Sequence, residues 1–143
     1  MNKKLFFLAM PCLILALCMI FAGCATTPAD PPGPQLNVTI TGIPSQFNGK
    51  LGWIQMDTGP SRNDPTVAWA MANTAGGSIT FNILDWVTDR PYSKTGNYYV
   101  SFLIWEDFNA ARAPGVQPLW HGFIISKNIG ENNSIAFSEF TRP

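Results

Sequence analysis

From Leu36 to Phe140 the chain is divided into short segments in which apolar and polar residues alternate, separated by clusters of Gly, Pro, Asn and Asp. Successive side chains of a strand point to opposite faces, so a period of two marks a strand with one buried side. A helix instead repeats its apolar positions every three or four residues. The clearest case sets Ile79, Phe81 and Ile83 against Ser78, Thr80 and Asn82. Leu36, Val38 and Ile40 alternate with Asn37, Thr39 and Thr41 in the same way. The pattern points to an all-β domain.

The remaining segments are less regular. Lys50–Met56 reads as a strand whose faces are ambiguous, with Leu51 and Trp53 pointing one way and Ile54 and Met56 the other. Val67, Trp69 and Met71 alternate with Thr66, Ala68, Ala70 and Ala72. A helix would suit so many alanines, but the turn cluster Asn73-Thr74-Ala75-Gly76-Gly77 follows too soon, and a strand is expected. Asn97–Glu106 is apolar on both faces except at Ser101, as in a strand interior to a sheet. Leu119–Lys127 and Ser134–Phe140 supply the last two strands. Asp57–Pro65, Asp85–Lys94 and Phe108–Pro118 read as long connections. About seven strands without βαβ alternation give a two-sheet antiparallel β-sandwich over residues 36–143, immunoglobulin-like or transthyretin-like in arrangement. A small closed barrel would satisfy the same periodicity.

Charge narrows the function classes. Only 13% of the residues are charged, so the surface must be made largely of Ser, Thr, Asn, Gly and Pro. Beyond residue 24 the basic residues Lys50, Arg62, Arg90, Lys94, Arg112, Lys127 and Arg142 form neither stripe nor cluster. Nucleic-acid binding, which needs a basic footprint, is not expected.

The first 24 residues have a different character. Lys3 and Lys4 precede an apolar run from Leu5 to Phe21, and Ala22-Gly23-Cys24 follows. The run is near the short limit for crossing a bilayer and contains Pro11, which removes a helical hydrogen bond. A cleaved export signal over residues 1–23 is the expectation, with an uncleaved anchor as the alternative. Phe21-Ala22-Gly23-Cys24 resembles the lipobox of bacterial lipoproteins, with Phe21 where that box usually has Leu. The resemblance implies a signal helix removed before Cys24, a diacylglycerol on the Cys24 sulfur and, often, acylation of the new amino terminus. Cys12 and Cys18 would leave with the signal, so Cys24 would have no intrachain disulfide partner. Residues 24–35, with prolines at 28, 31, 32 and 34, read as the lipidated cysteine and a semi-rigid tether. The localisation implied is a lipid-anchored membrane of the cell envelope, outer or periplasm-facing.

Thr41-Gly42-Ile43-Pro44 followed by Asn48-Gly49-Lys50, with Gly76–Phe81 (GGSITF) and Gly96–Val100 (GNYYV), resembles a group of small spirochaete lipoproteins of treponemal type. That resemblance implies an envelope lipoprotein carrying a β-sandwich and carries over no catalytic residues.

Candidate chemistry within the domain is sparse. His121 is the only histidine, and no second histidine or unlipidated cysteine is available to share a metal with it. It reads as an ordinary strand residue, and no G-x-S-x-G elbow accompanies it. Asp57, Asp64, Asp85, Asp89, Glu106 and Asp107 fall at strand ends or in connections, without the spacing of a calcium loop. No cofactor, metal or catalytic residue is expected. Among the aromatics Trp53, Trp86, Tyr92, Trp105, Phe108 and Trp120, those in connections stand out. Trp86, Tyr92 and Phe108 are the candidate contacts with a ligand or partner, because a loop aromatic can anchor a protein or stack on a sugar. The functional expectation is a membrane-anchored binding module of the envelope, with an envelope protein or a carbohydrate as partner. The alternatives are a structural protein pairing through an edge strand and, third, a small hydrolase.

Overall fold

The computed structural model describes residues 35–143, apart from Arg62. The expected signal at 1–23, the lipidation site Cys24 and the tether as far as Pro34 lie outside the described residues. Among the described residues no helix is long and apolar enough to cross a membrane.

Eight strands form two sheets. β1 (Asn37–Thr41), β4 (Ser78–Asn82) and β8 (Asn132–Ala136) form a three-stranded sheet in the order β4-β1-β8. The second sheet has the order β5-β3-β2-β6-β7, from Leu84–Asp85, Thr66–Asn73, Leu51–Asp57, Gly96–Trp105 and Trp120–Ile129 respectively. The two sheets share no ladder, so the architecture is a sandwich and not a closed barrel. All ladders are antiparallel except β1 with β8, which run parallel with Ile40 opposite Ile135.

The core lies between the inner faces. Val38, Ile40, Phe81 and Ile135 of the smaller sheet meet Ile54, Met56, Val100, Phe102 and Ile104 of the larger, all fully buried. Phe102 is the centre of an aromatic cluster, with the rings of Phe81, Trp120 and Phe140 at 5.9, 5.8 and 5.6 Å. Space for these rings comes from small residues on the larger sheet. A Cβ on Gly52 would stand 2.5 Å from Ile79 Cδ1 and 3.0 Å from Phe102 Cε2.

The alternation in β1 and β4 corresponds to buried and exposed faces as the sequence predicts. In β3 the small residues face inward: Ala68 and Ala70 are buried, while Trp69 and Met71 are half-buried on the outer face and Val67, at a register irregularity, packs against the core. In β2 the inner face is Gly52, Ile54 and Met56, and Trp53 points outward with Gln55. β6 is interior to its sheet, between β2 and β7. Two expected loops hold short elements. Asp85–Lys94 begins with the end of β5 and returns along it, Leu84 bridging to Pro91. Phe108–Pro118 begins with one helical turn, α1 (Phe108–Arg112), capped by the Asp107 carboxylate accepting from Ala110 N at 2.8 Å. The expected closing strand ends at Ala136, and Phe137–Glu139 turns as a 3-10 helix.

Candidate functional site

Because β6 is apolar on both sides and β2 and β3 send their large side chains outward, the larger sheet has a second apolar face. Its register sets out rows of side chains across the strands. Met71, Trp53, Leu103 and His121 form one row over β3, β2, β6 and β7. Trp69, Gln55, Ser101 and Phe123 form the next, and Thr66, Asp57 and Tyr99 a third. None of these aromatic side chains belongs to the core cluster.

Two connections rise around one end of this face. The β5 turn carries Trp86, whose backbone N–H donates to Val67 O and whose ring stands at 85° to Trp69 with centroids 6.2 Å apart. Asp85 fixes the turn: its Oδ1 accepts from Val87 N, Thr88 N and Thr88 Oγ1 at 2.9, 2.8 and 2.9 Å. Those bonds, the Thr88 backbone donor first, hold the Asp85 carboxyl below its ordinary range. Asp89, in the same turn, has φ of 54°, a left-handed conformation uncommon for a residue with a side chain. From the other connection, α1 contributes Phe108, with the Arg112 guanidinium 5.3 Å from its ring centroid.

Trp53, Trp69, Met71, Trp86 and Phe108 enclose a hollow of about 260 Å³, with Asp89 and Arg112 also on its wall. Trp86 and Phe108 remain 44% and 47% exposed, so two large apolar rings stand partly in water over a preformed depression. Tyr92 is not part of it. Its ring is half-buried and perpendicular-leaning against Tyr98 at 6.3 Å and 70°, and the two hydroxyls lie 3.2 Å apart. Burial and that hydrogen bond raise the Tyr92 phenol above its ordinary value.

A second hollow, of about 400 Å³, lies over the other rows of the face, lined by Gln55, Asp57, Tyr99, Ser101, His121 and Phe123 among others. Tyr99 and Phe123 stack at 5.5 Å and 20°. Burial lowers the His121 pKa from its ordinary 6.5, so the ring is neutral at neutral pH, with one nitrogen to donate and one to accept. Asp57 is 7% exposed, and its carboxylate accepts from Gln55 Nε2 at 3.0 Å and Thr66 Oγ1 at 2.6 Å. With both neighbours donating, it acts as the anchor that fixes Gln55 and Thr66 in place. Among the described residues no three of His, Cys, Asp and Glu come together as a metal set.

The structure therefore brings Trp86 and Phe108 together and adds Trp53, Trp69 and Met71, which sequence reasoning left among strand residues without assigning them to a site. The signal that could have found them is the run of small residues between the large ones: Gly52 beside Trp53, and Ala68 and Ala70 around Trp69. Two sheets packed on large inner residues of one partner need small ones on the other, which turns the tryptophans out. Comparison of the chain with protein-family models, curated proteins and solved structures finds no match.

Proposed function

We propose that this protein is a lipid-anchored component of the bacterial cell envelope whose β-sandwich works by binding, through the hollow under Trp86 and Phe108. The observation that carries the reading is the convergence of two partly exposed aromatic side chains from separate connections on one apolar depression. Monomeric soluble domains rarely leave such rings grouped in water unless something covers them. The sandwich supplies the rigid frame, since Trp86 is tied to β3 and Phe108 follows directly on β6. No covalent step is assigned to His121 or to the carboxylates.

The anchor is argued from the sequence alone. Cys24 follows Ala22-Gly23 at the end of the apolar run, and two or three acyl chains on one residue hold a domain of this size, because each buried methylene contributes about 0.8 kcal/mol. Mass spectrometry of the mature chain from its own cells is expected to give an N-terminal, acylated Cys24. Cys24→Ala is expected to remove the acyl mass from the chain; a mature chain still carrying residues 1–23, or a free Cys24 thiol, overturns the anchor. Binding is tested separately by retention on isolated envelope of the mature chain, residues 24–143, made without its signal and so without lipid. Trp86→Ala with Phe108→Ala is expected to lose retention while keeping the wild-type melting temperature, and equal retention overturns the binding reading.

Edge-strand pairing has less to support it. β5 is two residues long, the edges of the smaller sheet, β4 and β8, are five residues each, and the ten-residue edge strand β7 is interrupted by a bulge opposite Tyr98–Val100 and covered at Phe123 by a bridge to Thr141. Short, bulged or covered edges are the devices that block such pairing.

A further inference from the structure

We infer that the two hollows are one groove across the larger sheet and that its ligand is a linear, uncharged carbohydrate, an inference that rests on the binding reading above. The hollows share a border. Trp69 lines the first and Gln55 the second, and the two are direct cross-strand partners. Trp53 and Gln55 are two apart on β2 and so about 6.8 Å from each other along one face. Leu103 fills the row between Trp53 and His121. The path from Trp86 to Phe123 is therefore continuous apolar sheet interrupted by hydrogen-bonding groups.

Its chemistry selects the ligand. Rings alternate with neutral donors and acceptors: Trp53 and Trp69, then Gln55, Ser101 and His121, then Phe123. A pyranose has the same duality, an apolar C–H face to lie on a ring and a rim of hydroxyls. Charge disfavours the competitors. A quaternary ammonium would meet the Arg112 guanidinium, which already stands over Phe108, and an anionic polymer would meet Asp57 and Asp89. An extended peptide gains its affinity from main-chain bonds to a sheet edge. Here the backbone beneath the groove is already paired in the ladders of β3, β2, β6 and β7, so peptide amides laid over the rings would be desolvated without partners. Size agrees: the first hollow, at about 260 Å³, falls just below the usual 300–1,000 Å³ of sites that enclose a whole small molecule, and suits one unit of a chain that continues into the second.

The test is retention of the same unlipidated mature chain on isolated cell envelope treated with periodate, which cleaves vicinal diols, or with protease. Periodate is expected to abolish retention and protease to leave it unchanged. Phe123→Ala in the second hollow and Trp86→Ala in the first are each expected to weaken retention about tenfold, the effect of truncating one aromatic anchor. Phe123→Leu, which keeps apolar bulk without the ring, guards against misfolding and is expected to weaken retention as well. Retention that survives periodate but not protease overturns the carbohydrate and points to a protein partner, with the binding reading intact. If both Phe123 variants bind like wild type while Trp86→Ala does not, the continuous groove is overturned. If no substitution in either hollow matters, the binding reading itself falls.

Discussion

Gly52 is the residue on which the division of the larger sheet into a core face and an outer face turns. It lies inward between the outward-facing Leu51 and Trp53, and an added methyl would press on Ile79 and Phe102, both packed in the core. Gly52→Ala is expected to destabilise the domain by about 1–3 kcal/mol, the cost of overfilling a well-packed interior, read as a lower urea midpoint with an unchanged slope. Trp105 offers a contrast. Its indole N–H and that of Trp53 are enclosed with no acceptor among the described residues, and an unmade bond of this kind costs about 1–3 kcal/mol. Trp105→Phe keeps an aromatic ring and removes the orphan donor, so it is expected to change stability by less than about 1 kcal/mol. Phe102→Ala, in the middle of the ring cluster, is expected to cost about 3–5 kcal/mol by the same measurement. Sequence alone does not separate these aromatics, because periodicity reports that a side chain alternates and not which of two apolar faces it joins. Trp53, Trp105 and Phe102 are equally apolar, and only the position of small residues opposite them decides.

Single turns of chain position the candidate site. α1 is five residues long, too short to show a helical period, and so Phe108–Pro118 reads as loop. Its one local signal is Asp107 at the cap, a residue type that accepts from the free N–H groups of a first turn. Asp107→Ala is expected to cost about 0.5–2 kcal/mol and, by loosening the turn that carries Phe108 and Arg112, to weaken envelope retention more than it lowers the melting temperature. β5 is equally hidden, since two residues make no pattern. Asp85 does there what Asp107 does for α1. Asp85→Ala, which removes all three accepted bonds, is expected to make Trp86 fluorescence more accessible to acrylamide while leaving far-UV dichroism unchanged. The longer elements were legible: β1, β4 and β6 follow directly from their alternation, and a both-faces-apolar β6 correctly indicates an interior position.

For the molecule as a whole, the titrating groups set a window of pH. His121 binds its proton less readily in the folded chain than its ordinary 6.5, so the unfolded state takes up the proton first and stability declines as pH falls below about 6.5. Asp85 and Glu139, both held below their ordinary carboxyl values, add losses of the same sign at about pH 4 and under. Tyr92 and Tyr99 are raised above the ordinary 10.0, so their contribution is present below that value and is lost as the solution becomes more alkaline. A melting-temperature profile is expected to be flat between about pH 6.5 and 10 and to fall on either side. His121→Gln is expected to remove the decline nearest neutrality and leave the lower one. The two-sheet architecture itself was readable from the number and spacing of segments. The pairing of β1 with β8 was not, because it joins residues almost a hundred positions apart and nothing local encodes such a partner.

That pairing also has a mechanical side. β1 is clamped between an antiparallel β4 and a parallel β8, so tension arriving through residue 35 would pull β1 lengthwise between two neighbours. Its cross-strand bonds would then be sheared together instead of being unzipped one after another. A domain tugged at its leading end by a moving surface would hold until several bonds yielded at once, which stretching single molecules from the N-terminal side would register as one abrupt rupture.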